Sequence, residues 1–92
     1  MNGAAVMDED EERYRKALAY CLTRRRLVAH LTQAQLARGG GLSPSEVQHI
    51  ERGRRHPKTE TQRRLCAALG ITLLELMAEV DRVQREWERQ GR

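Results

Sequence analysis

Just ahead of an apolar-periodic run, at four places in this chain, a Ser or Thr is followed three residues later by Glu or Gln. The pairs are Thr32/Gln35, Ser43/Glu46, Thr59/Gln62 and Thr72/Glu75. In such a capping box the hydroxyl accepts from an orphan amide of the first turn and the Glu or Gln reaches back to the cap amide. Each box stabilises its helix by about 1 kcal/mol. Three boxes are flanked by a hydrophobic pair that fixes how the chain enters the helix: Leu31 with Leu36, Leu42 with Val47, and Ile71 with Leu76. Pro44 follows the Ser43 cap, where a missing amide costs nothing. Upstream, Tyr14, Ala17, Leu18, Cys21 and Leu22 mark one face of a first helix from about Glu11 to Leu27. Five helices are therefore expected, with stops at Gly39 to Gly41, Gly53 and Gly70.

Composition agrees. With no Phe, two Pro and 39% hydrophobic residues, the core of this 92-residue chain has to be aliphatic and small, which suits helices better than sheets. Cys21 and Cys66 lie far apart, and with His30, His49 and His56 they form no metal-ligand spacing, so neither a disulfide framework nor a metal or cofactor is expected. The longest apolar stretch, around Ile71 to Met77, is too short to span a bilayer. The chain also opens on an acidic segment where a signal peptide needs a basic one, so a cytoplasmic location is expected.

Net charge is +4, but Asp8 to Glu12 form an acidic run, and without it the balance is +9. That run reads as a cap on the positive end of the first helix or as a solvated tail. From Arg24 to Arg64 there are ten Lys or Arg against three Glu, a surplus that favours a phosphate footprint. Arg24 to Arg26 also suit the negative end of the first helix simply as surface cations.

The second and third helices begin eleven residues apart and are joined by a Gly-containing turn, the spacing of a helix-turn-helix. The stretch TQAQLARGGGLSPSEVQHIERGRRHP resembles the lambda-repressor-like, Cro/XRE-type DNA-binding domains, and RRLCAALGITLLELM resembles their fourth and fifth helices. The resemblance covers roughly Tyr14 to Ala78. It implies an all-α, five-helix lambda-repressor-like fold, here with an extended C-terminal helix, and double-stranded DNA as the partner.

Leu36, Ala37, Leu42, Val47 and Ile50 are then the packing seam, and the exposed face of the third helix carries Pro44, Ser45, Gln48, His49 and Arg52. Base contacts fall to Ser45, Gln48, His49 and Arg52; Gln pairs bidentately with adenine, and Arg reaches guanine or phosphate. The resemblance assigns phosphate contacts to Gln33 and Ser43 and to Arg54, Arg55 and Lys58 of the following loop. Pro44 departs from the family, many of whose members read a base with Gln at that position. Glu46 is assigned to its capping box ahead of a contact with cytosine.

Leu73, Leu76, Val80, Val83 and Trp87 continue a 3-4-3-4 seam past the usual end of the domain. One reading is a homodimer made by Leu76, Val80, Val83 and Trp87 pairing with a twin helix; the other is a helix folded back on its own domain. The expected layout is an acidic tail over 1–10, the helix-turn-helix domain over 11–78 and a dimerising extension over 79–92.

The functional expectation is a transcription regulator, a repressor reading an inverted repeat as a homodimer with helix 43–52 in the major groove. An antitoxin or restriction-modification controller would use the same domain, and a protein-interaction module that has lost DNA binding is the alternative of another class. Activation through the surface near Glu51 or Glu60 stays open. An enzyme is disfavoured, since no nucleophile is paired with a base, and so is RNA binding, since stacking aromatics are missing. No small-molecule pocket is evident.

Overall fold

In the computed structural model, which describes residues 3–92 and side chains from Glu9 onward, the chain forms five α-helices. They are α1 (Gly3–Val28), α2 (Gln33–Gly40), α3 (Pro44–Glu51), α4 (Thr59–Leu69) and α5 (Leu73–Arg89). Three of the four capping boxes form in full. Thr32, Ser43 and Thr72 each accept from the amide three residues on, while Gln35, Glu46 and Glu75 accept from the cap amides. The Thr59/Gln62 box does not form. Lys58 is the cap residue there, without a side-chain hydrogen bond, and Gln62 is buried, donating its amide to the Pro57 carbonyl at 2.9 Å.

The backbone amides of Ser43 and Thr72 hold the carboxyls of Glu46 and Glu75 below the ordinary carboxylate range. A carboxyl depressed in the folded state adds stability above its unfolded pKa and loses it as pH falls through the folded value. The thermal midpoint should therefore fall on acidification from about pH 5 to about pH 3. In the double variant Glu46→Gln/Glu75→Gln, whose amides still accept but do not titrate, that fall should be shallower by circular dichroism. An identical pH profile would contradict the assignment.

Helix α1 begins ahead of the expected start at Glu11, so the acidic run continues the helix, and its first turn contains no acidic residue for the dipole to favour. It ends at a point with no Gly. His30 takes the left-handed conformation (φ 59°), and the Leu31 amide closes back on the Arg26 carbonyl. Gly41, with φ 70°, supplies the same conformation after α2 at no steric cost. Its neighbours Gly39 and Gly40 lie inside α2 and let it approach α4: a Cβ on Gly39 would sit 3.1 Å from the Ala68 Cβ.

The core is aliphatic, as composition requires. Ala17, Leu18, Cys21 and Leu22 of α1 meet Leu36 and Ala37 of α2, Val47 and Ile50 of α3, Leu65 and Cys66 of α4, and Leu76 and Val80 of α5. Both cysteines are free and buried, and burial pushes the Cys21 thiol up to about 11.

The C-terminal seam folds back on its own chain. Leu76 and Val80 are 0% and 1% exposed in this core, and Val83 and Trp87 pack against it. Trp87 lies edge-on to Tyr20 of α1, with ring centroids 5.7 Å apart and Arg92 over its face. Glu79, also buried, accepts from Arg25 Nε at 3.1 Å. This favours the reading of α5 as a helix folded back on its own domain over the pairing of Leu76, Val80, Val83 and Trp87 with a twin helix. The core covers Leu76 and Val80 completely, and Val83 and Trp87 are half-buried.

Candidate nucleic-acid interface

Val47 and Ile50 point inward from α3 and are 1% and 3% exposed. Ser45, Gln48, His49 and Arg52, spaced i, i+3, i+4 and i+7, therefore share the opposite side of the helix. Ser45 and Arg52 are exposed, and Gln48 and His49 are half-buried. The short α3 is held at both ends. The Ser43 box and Pro44 fix its start, and Gly53, with φ 71°, turns the chain out of it against α1, where a Cβ would meet Lys16 Cγ at 3.7 Å.

The loop that follows carries Arg54, Arg55 and Lys58, all exposed. It is pinned from beneath. Pro57 is buried with its carbonyl taken by Gln62, and the His56 ring lies 5.3 Å from Tyr14 of α1. Three cations thus stand on a fixed loop beside the outer face of α3.

An ion pair orients this surface from within. Arg26, at the end of α1, donates from Nε to Glu51 Oε2 at 2.7 Å and from Nη2 to Oε1 at 3.0 Å, and from Nη1 to the Leu31 carbonyl at 2.8 Å. Gln33, the first residue of α2, donates its amide to the same Glu51 Oε1 at 3.0 Å. The side chains of Arg26 and Glu51 are 12% and 5% exposed, so one bidentate pair ties together the end of α1, the start of α2 and the end of α3.

Arg25 and Arg26 are engaged by Glu79 and Glu51 and leave the pool of cations facing outward. Glu51 is too buried to meet a polymerase, whereas Glu60 remains exposed. Gln33 has one amide hydrogen committed to Glu51 and the other left to donate outward. Ser43 likewise accepts from Glu46 N at 3.1 Å and keeps its hydroxyl proton. The partnership of Gln33 with Glu51 spans 18 residues of sequence, and no spacing rule announces it.

The model of the helix-turn-helix family matches residues 22–76, which take in α2, the Gly41 turn and α3. This chain belongs to that helix-turn-helix family of transcription regulators. An uncharacterized helix-turn-helix-type transcriptional regulator of Sinorhizobium fredii is 34% identical over 67 residues, 73% of this chain and 87% of the relative. Among solved structures, the clp gene regulator ClgR from Corynebacterium glutamicum superposes with a TM-score of 0.81 at 27% identity, covering 85% of this chain and 83% of that one. The hypothetical transcription factor NHTF from Neisseria gives 0.67 at 32% identity, covering 72% and 76%.

In this helix-turn-helix protein, α2 is the supporting helix and α3 occupies the recognition position. Pro44, at the first position of α3, has no hydrogen to donate, so the donors at that end are the Ser43 and Ser45 hydroxyls, with Gln48 one turn on. Among the described residues no helix is long and apolar enough to cross a membrane, and no group of three His, Cys, Asp or Glu is placed to hold a metal.

Proposed function

We propose that this helix-turn-helix regulator is a cytoplasmic repressor that binds an inverted repeat in double-stranded DNA as a homodimer, with α3 in the major groove. The observation that carries this reading is the outer face of α3. Ser45, Gln48, His49 and Arg52 stand together beside the cations of the α3–α4 loop, while Val47 and Ile50 anchor the helix from behind. Gln48 is assigned to adenine, Ser45 and His49 to neighbouring base edges, and Arg52 to guanine. Arg54, Arg55 and Lys58, with Gln33 and Ser43, take phosphates.

Two substitutions separate these roles. Gln48→Ala should lower affinity for the preferred duplex by about tenfold or more and leave binding to scrambled DNA unchanged. Arg55→Ala should weaken binding to both and reduce the slope of log affinity against log salt by about one. Fluorescence anisotropy on both duplexes over a salt series measures this. Equal losses on both duplexes from Gln48→Ala would remove Gln48 from base reading.

A further inference from the structure

An open, largely apolar groove of about 560 Å³ runs along the outer side of α1. Its floor is Lys16, Tyr20, Thr23, Arg24, Leu27 and Val28, and the end of α3 at Arg52 and Gly53 closes one side. Three of these residues are large apolar groups left open: Tyr20 is 46% exposed, Leu27 58% and Val28 71%. Among the described residues, the charged groups on the rim free of an internal partner are cationic, namely Lys16, Arg24 and Arg52, since Glu51 is taken up by Arg26 and Gln33.

The same helix carries the complement. At 26 residues, α1 is about 39 Å long at 1.5 Å per residue, close to the 43 Å long axis of the molecule. From Tyr14 onward α1 packs on the core, whereas Glu9 to Arg13 are all exposed. Counting back from Lys16 at helical spacing, Glu12 and Glu9 fall on the face that Thr23 and Leu27 continue forward. One continuous face of α1 is thus acidic before Lys16 and apolar with a basic rim after it. Such a face is self-complementary when reversed.

We propose that the groove is filled by the acidic first half of α1 from a second copy of the chain, the two α1 helices running antiparallel about a two-fold axis near Lys16. Glu9 of one copy then lies alongside Arg24 of the other, and Glu12 beside the stretch from Tyr20 to Thr23. The exchange is isologous, so each copy gives one acidic segment and receives one. It also covers the exposed turn from Glu9 to Glu12, where isolated turns are marginal in water. This pairing deepens the homodimer reading above, and gives it a surface other than α5.

Sedimentation of the full-length chain at about 150 mM salt, where screening still leaves close pairs attractive, tests it with two charge-reversed variants. Wild type should be dimeric at micromolar concentration. Glu9→Arg/Glu12→Arg and Lys16→Glu/Arg24→Glu should each self-associate at least tenfold more weakly while still unfolding in one cooperative transition by circular dichroism. Mixed together, the two should restore a dimer. Trp87, the single tryptophan, touches Tyr20 at the groove, so its emission should shift with concentration in the wild type and not in either variant alone. A monomeric wild type, variants that dimerise as well as wild type, or monomeric variants that fail to pair when mixed would each overturn the proposal. DNA reading is scored separately. A variant monomer that still selects one half-site locates the failure in the interface, whereas loss of all sequence preference locates it in the recognition helix.

Discussion

Replacing Glu51 with alanine is expected to remove much of the protein's stability at 25 °C. The substitution leaves the Arg26 guanidinium, 12% exposed, without its bidentate partner, and strips Gln33 of the oxygen its amide donates to. Breaking a buried pair from one side typically costs about 3–5 kcal/mol, because the remaining charge is uncompensated. A domain of this size has little more than that to lose. The double variant Arg26→Met/Glu51→Met should recover much of the stability, because it removes both desolvated charges together. Urea unfolding of the three proteins measures the difference. A Glu51→Ala midpoint within experimental error of wild type would show that the pair holds nothing together. The double variant should still bind DNA more weakly than wild type, because Gln33 would have lost the group that orients it.

Ending the chain at Ala78 has an outcome opposite to the one a dimerising tail implies. A detachable extension would leave a folded monomer. Here the cut removes Val80, buried to 1%, the Glu79 carboxylate that Arg25 donates to, and Trp87 from its packing on Tyr20. Large-to-small changes at one buried aliphatic site cost about 2–5 kcal/mol, and this truncation deletes several such groups at once. The shortened chain should show no cooperative thermal transition by circular dichroism. A sharp transition near the wild-type midpoint would restore the reading of residues 79–92 as an appendage.

Where local chemistry decided the outcome, the sequence was legible. Thr32, Ser43 and Thr72 announce their helices because a capping box is complete within four residues. Thr59 shares that pattern, but the Pro57 carbonyl beneath the loop offers the Gln62 amide a buried acceptor, and tertiary packing took the side chain. The end of α1 is silent because His30 adopts the left-handed conformation without being Gly or Asn. The seam of α5 was visible in its spacing, yet a 3-4 repeat specifies a covered face and not what covers it; the partner turned out to be α1 of the same chain.

The candidate interface divides along the same line. Ser45, Gln48, His49 and Arg52 could be read from the inward spacing of Val47 and Ile50, whereas the network of Arg26, Glu51 and Gln33 joins residues 18 and 25 positions apart. Arg25 and Arg26 look like the other cations of a basic stretch. Only the fold sets them against Glu79 and Glu51.

The most direct test of the central claim is selection of bound duplexes from a random DNA pool by the full-length chain at about 150 mM salt, a concentration at which non-specific phosphate binding is weakened. The expected result is an enriched inverted repeat whose half-sites repeat at about one helical turn, 34–36 Å, with adenine enriched at the position that Gln48→Ala relaxes. Recovery of duplexes with no sequence in common would contradict sequence-specific reading by α3.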